Sequence, residues 1–178
     1  MTEEQQRHWG LWLGLLGVMM FAGTLPMTRL AVGSTADPHL SPWFVSFGRA
    51  AVAGILSLFY LAFTHSPRPE RHEWAPLIVA AAGNVVGFPV CLGLALREVG
   101  AVHAAVVVGI LPLATAVLAS WVLRQKPSLG FWLCALLGTA LVVVYMMHQS
   151  GSWQWGFSHA DLLLLGAVLW AALGYVYG

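Results

Sequence analysis

Five residues lying in apolar surroundings carry the groups best placed to do chemistry: Arg49, Asn84, His103, Pro112 and Trp170. Arg49 stands about two turns into a long apolar run, where a guanidinium must snorkel to the interface, pair with another group or line a wet cavity. Asn84 sits between Gly83 and Gly87 in the middle of another run, able to hydrogen-bond either a solute or a neighbouring helix. His103 lies early in a third run; it can titrate in a proton-coupled cycle or serve as a helix-packing histidine. Pro112 removes one backbone donor in mid-run and should kink its helix, freeing a carbonyl of the kind that lines transporter cavities. Trp170 and Phe21 offer aromatic walls, or ordinary aromatic packing. Arg29, just after Pro26 and near the end of its run, is expected to snorkel.

Other chemistry is missing from the pattern. No acidic residue lies deep in an apolar run, since Glu98 and Asp161 fall near the ends. There is no H-E-x-x-H, G-x-S-x-G or P-loop. Cys91 and Cys134 both lie in apolar runs without C-x-x-C spacing and read as small hydrophobes, so neither cofactor nor metal is predicted. An enzyme is not expected.

The elements that must position these residues are membrane-spanning helices. Hydrophobic residues make up 59% of the 178 positions and charged residues 8%, against about 25% charged in soluble domains. So few charges cannot cover a water-facing surface. The net charge of +1 also excludes nucleic-acid binding. Crossing the hydrocarbon core takes about 20 apolar residues, and six runs meet or approach that length: Trp9–Val32, Pro42–Thr64, Trp74–Leu96, Val99–Leu123, Leu129–Met147 and one from Ala160 onward. In lipid these must be helices. The first run follows a mixed segment and is long for a signal peptide, so it is predicted to remain as a helix.

Basic residues set the orientation. Arg7, Arg68, Arg71, Arg124 and Lys126 fall on one side, and only Arg97, in a tight Arg97–Glu98 turn, falls on the other. A cytoplasmic N-terminus is predicted. Trp9, Trp43, Trp74, Trp121 and Trp132 near span ends suit the headgroup layer, and Trp153 and Trp155 suit an outer loop. Small residues at four-residue spacing, such as Gly83 and Gly87 or Gly130, Cys134 and Gly138, predict close helix packing.

These residues resemble the EamA-type carriers of the drug/metabolite transporter superfamily. The second run, with Ser41-Pro42 and then Arg49 among small residues, is similar to the family's second helix. Ala95-Leu-Arg-Glu-Val-Gly-Ala-Val-His-Ala-Ala is similar to its junction between helices three and four, and Ile110-Leu-Pro-Leu-Ala-Thr-Ala to its proline-bearing fourth helix. Leu123-Arg-Gln-Lys-Pro-Ser departs from the family's usual Leu-Gly-Glu-Arg-Pro-Ser, with Arg124 for the glycine and Gln125 for the acid.

The resemblance implies an all-α, polytopic transmembrane bundle: a five-helix repeat over 9–147, an external loop over 148–159, and the first helix of an inverted second repeat over 160–178. Leu15-Leu-Gly-Val-Met-Met-Phe21-Ala-Gly aligns with Leu164-Leu-Gly-Ala-Val-Leu-Trp170-Ala-Ala, as a repeat would require. The expectation is therefore a multi-pass transporter of the inner or plasma membrane that moves a small metabolite or drug, with efflux as the implied direction. The chain is expected to be incomplete, stopping inside its second repeat. Its partners would be the lipid bilayer, a small-molecule substrate, and a missing second half or a second copy. The rival expectation is a non-transporting membrane subunit or remnant that packs with other proteins.

Overall fold

A computed structural model describes residues 3–65, 68–124, 127–150 and 158–178. Nine α-helices and one π-helical segment make up these residues: α1 (Glu3–Ala22), α2 (Thr24–Val32), α3 (Pro42–Thr64), α4 (Trp74–Ala81), the π segment (Ala82–Gly87), α5 (Phe88–Glu98), α6 (Ala101–Val108), α7 (Leu111–Val122), α8 (Leu129–Ser150) and α9 (His159–Tyr177). They pair into spans, because α1 with α2, α4 with the π segment and α5, and α6 with α7 each continue one apolar run. Five of the resulting spans are long and apolar enough to cross a membrane, and α8 is the sixth apolar helix.

Three spans are interrupted, and each interruption lies about one turn ahead of a proline. Gly23 separates α1 from α2 before Pro26, the π segment precedes Pro89, and Gly109–Ile110 separate α6 from α7 before Pro112. A proline lacks the N–H that would bond the carbonyl four residues earlier, and its ring clashes with that carbonyl. The carbonyls concerned belong to Ala22, Val85 and Val108, so the breaks stand where this rule puts them. Pro112 consequently lies in the first turn of α7, where its missing N–H deprives no helical bond. Pro42, which opens α3, is placed the same way.

The sixth run, α9, threads the middle of the bundle. It packs on α5, α7, the π segment, α4 and α6. The buried cluster joins Leu164, Ala167, Val168, Ala171 and Ala172 of α9 to Phe88, Leu92, Ala95 and Leu96 of α5 and to Val108 and Leu111 around the third break. Alanine and glycine dominate the α9 face, which lets neighbouring backbones approach closely. Outside, the spans are largely apolar: Leu13, Phe59, Phe63, Trp121 and Leu141 all point outward. An exterior of this kind is solvated by lipid. Trp9, Trp43, Trp74 and Trp121, at span ends, are also exposed.

One end of the bundle is stitched together by its backbone. The 33–41 connection returns on itself, with the Leu40 N–H donating to the Ala31 carbonyl and Gly33 at φ 70°. The Thr35 N–H donates to the Arg97 carbonyl at 3.1 Å, and Arg97 Nη2 to the Leu40 carbonyl at 3.1 Å. Arg29, expected to snorkel, is instead half-buried and donates to the carbonyls of Gly33 (2.9 Å) and Leu96. Its reason is local: Leu96 and Gly33 end the helices beside it, and their unpaired carbonyls need donors. The predicted Arg97–Glu98 turn is shifted, as both residues complete α5 and the chain turns at Val99–Gly100.

Candidate functional site

α9 crosses the π segment at close range. A β-carbon built on Gly83 would stand 2.3 Å from the Trp170 carbonyl oxygen, and one on Gly87 2.4 Å from the Trp170 indole. From the other side, a β-carbon on Gly174 would stand 2.6 Å from the Asn84 carboxamide. Each helix thus offers a glycine notch to the other's large side chain, Gly87 receiving Trp170 and Gly174 receiving Asn84. The π segment widens the helix where Asn84 projects. Such single-turn π insertions occur frequently at functional sites.

Asn84 is half-buried in mid-span. Among the described residues no hydrogen bond engages its carboxamide. An amide left unpaired in an apolar medium costs several kcal/mol, so water, a solute or another part of the assembly must satisfy it. Trp170 keeps 43% of its surface accessible and closes one side of the same neighbourhood. Phe21 stacks on Phe88 with ring centroids 6.4 Å apart, linking the first interruption to the end of the π segment. Val108 and Leu111 flank the third interruption and share the buried cluster of α9. Two discontinuous spans, the one holding the π segment and the one broken between α6 and α7, therefore pack on α9, and the third reaches their edge through Phe21.

The five sequence-predicted residues do not form one cluster. Asn84 and Trp170 come together across the α9 crossing. Pro112 is exposed on α7, its effect being the break it imposes rather than a contact. Arg49 is exposed on α3, one turn beyond the buried Pro42 and Ser46 of the same stripe, and among the described residues no hydrogen bond or ion pair engages it. His103 stands at the end of the bundle that carries the 33–41 connection, its Nε2 2.6 Å from Asp161 Oδ1. Gln125, Lys126 and the tryptophans Trp153 and Trp155 lie outside the described residues.

Sequence reasoning missed Gly174, Phe88 and the acid partners of the histidines. The notch at Gly174 had a signal in the small residues of the last run, Gly166, Ala167, Ala171 and Gly174. The His103–Asp161 contact spans 58 positions and left no local trace. The surface depression bounded by Leu56, Ser57, Tyr60 and Leu61 is formed by α3 alone and includes none of the sequence-predicted residues.

Comparison with known proteins agrees with this architecture. The EamA-like transporter family model matches residues 8–147. The chain is 37% identical over 167 residues to the uncharacterized transporter YdeK of Bacillus subtilis, covering 93% of this chain and 55% of that protein. It is 26% identical over 174 residues to the uncharacterized transporter YyaM of Bacillus subtilis, covering 94% of this chain and 55% of that protein. A third relative, the uncharacterized transporter sll0355 of Synechocystis, is 31% identical over 99 residues, or 55% of this chain and 30% of that protein. The chain spans about half the length of the two Bacillus relatives. No solved structure matches. The chain belongs to the EamA-like transporter family.

Proposed function

We propose that this member of the EamA-like transporter family supplies the first five-helix repeat and the opening helix of an inverted second repeat to a carrier that moves a small metabolite or drug by alternating access. Efflux is the proposed direction, and the cell membrane, with the N-terminus in the cytoplasm, the proposed location. The single observation carrying the reading is the unpaired Asn84 carboxamide beside Trp170, at the level where discontinuous spans meet α9. Carriers place their solute sites near mid-bilayer at the interface of two repeats, in spans of this broken kind.

On this reading α9, the first helix of the second repeat, runs opposite to α1 because five spans precede it. Its small-residue face lets it slide against α5 and the π segment. Asn84 and Trp170 supply one polar and one aromatic contact to the solute. Pro112 supplies a hinge, while Arg49 and His103 serve the cavity from the stripe of α3 and from one bundle end. A second half, from the same chain or a second copy, completes the pathway. The excess of Arg7, Arg68, Arg71 and Arg124 on the N-terminal side supports the orientation.

The test is solute flux in vesicles holding the protein at the length its host makes. A broad panel of metabolites and drugs should include one that moves in a protein-dependent way and accumulates less when Asn84 becomes Ala. A panel without any such solute overturns the reading.

A further inference from the structure

At the end of the bundle that carries the 33–41 connection, α9 is tied to the α5–α6 corner by two crossed pairs. Asp161 of α9 meets His103 of α6 at 2.6 Å, and His159 of α9 meets Glu98 of α5 at 3.3 Å. Asp161 is held from both sides. Its Oδ1 faces His103, and its Oδ2 accepts from the Ser158 N–H (2.9 Å) and hydroxyl (3.1 Å) in a capping box at the start of α9. The Asp161 side chain is 15% exposed and that of His103 51% exposed. A shielded carboxylate is therefore gripped by a half-exposed imidazole at the end of the bundle.

An ionised carboxylate only accepts, so His103 donates through Nε2 whether or not the ring is charged. Nδ1 is then the atom that gains or loses a proton. With Nδ1 protonated, the contact is an ion pair with a charge-assisted hydrogen bond. When that proton returns to solvent, a neutral donor remains and the grip on α9 weakens. The other charged or titratable groups around this corner are His159 on α9, Arg97 and Glu98 on α5, Arg29 on α2, and Asp37 and His39 in the 33–41 connection. Arg97 and Arg29 are committed to backbone carbonyls. α8 carries His148 in its last turn, and its side chain lies outside the described residues.

We propose that His103, held by Asp161, is a proton-binding site, and that releasing the proton loosens α9 from the α5–α6 corner. Coupling of that proton to solute movement rests on the carrier reading above; the clamp itself does not.

Cys91 is a native reporter. It lies half-buried on α5, its Sγ 3.9 Å from where a β-carbon of Gly166 on α9 would stand. In a Cys134→Ser background in liposomes, the N-ethylmaleimide labelling rate of Cys91 is measured across about pH 5 to 8, where histidine titrates. Each rate is divided by that of the His103→Gln variant, which keeps a neutral donor to Asp161, so ionisation of the thiol itself cancels. The ratio should start well below one and climb about fivefold towards one as pH rises. Asp161→Asn should abolish the step, and Glu98→Gln should retain it. A flat ratio overturns the proposal, as does a step lost in Glu98→Gln and retained in Asp161→Asn. Flux in the same vesicles separates the two readings: a labelling step without flux counts against the carrier, and flux with flat labelling counts against the clamp.

Discussion

Gly174 of α9 faces the Asn84 carboxamide so closely that a β-carbon on the glycine would lie 2.6 Å from its Cγ, Nδ2 and Oδ1. Real β-carbons do not tolerate such a contact, so Gly174→Ala must either rotate the Asn84 carboxamide out of its notch or push α9 away from the π segment. Overpacking of this kind costs about 1–3 kcal/mol. Thermal unfolding in detergent should show the loss, and Asn84→Ala in the same background should recover most of it. Gly166→Ala is the control, because its nearest neighbour is Cys91 Sγ at an ordinary 3.9 Å. Equal destabilisation by the two glycine substitutions would refute the notch.

Pro112→Ala restores an N–H within reach of the Val108 carbonyl and should let α6 and α7 fuse into one helix. The variant should be as stable as the parent or slightly more so. If the break is a hinge, flux should fall severalfold with no loss of folded protein, while unchanged flux would remove Pro112 from the mechanism.

Arg29 bridges α2 to the last turn of α5 through the Gly33 and Leu96 carbonyls. Each hydrogen bond from a charged donor is worth about 1.5–3 kcal/mol. Arg29→Met keeps an apolar stem but abandons both carbonyls, and should lower the unfolding temperature. Arg29→Lys should recover much of the loss, because both carbonyls are reached from the single nitrogen Nη1 and an ammonium also carries several donors on one nitrogen.

The apolar runs made six helices legible from composition alone, five of them long enough to span, because lipid admits little besides helix. Pro112 also announced the break ahead of it, since a missing N–H acts within one turn; the breaks before Pro26 and Pro89 obey the same rule but were not read from the sequence. The π segment was not legible: nothing in Ala82-Gly-Asn-Val-Val-Gly87 distinguishes an extra residue per turn from an ordinary α-helical turn. Nor could Asn84 be matched to Gly174, or His103 to Asp161, as those meetings depend on the path of α9 through the bundle. Arg29 was misread for a similar reason, its acceptor at Leu96 lying 67 positions away.

His39 sits in the 33–41 connection, where Nδ1 faces the Leu30 carbonyl at 3.0 Å and Nε2 the Asp37 carboxylate at 3.4 Å. The Leu30 hydrogen bond first, then the Asp37 charge, raise its pKa above the ordinary imidazole value. A raised folded value means that its contribution to holding the connection is fully present below the unfolded pKa. That contribution is lost as pH rises through the folded value. Hydrogen exchange of the connection, corrected for intrinsic rates, should quicken through that window in the parent and stay flat in His39→Gln. The effect is small, as the ring is exposed.

The most direct test of the account is solute flux by Asn84→Ala and Trp170→Ala proteins, compared with the parent in the same vesicles and corrected for folded protein. If the crossing of α9 with the π segment is the solute site, Asn84→Ala should lower flux about tenfold, the effect of losing a hydrogen bond worth roughly 1.4 kcal/mol. Trp170→Ala should lower it as well. Parental flux in both variants would contradict the account and move the site elsewhere in the bundle.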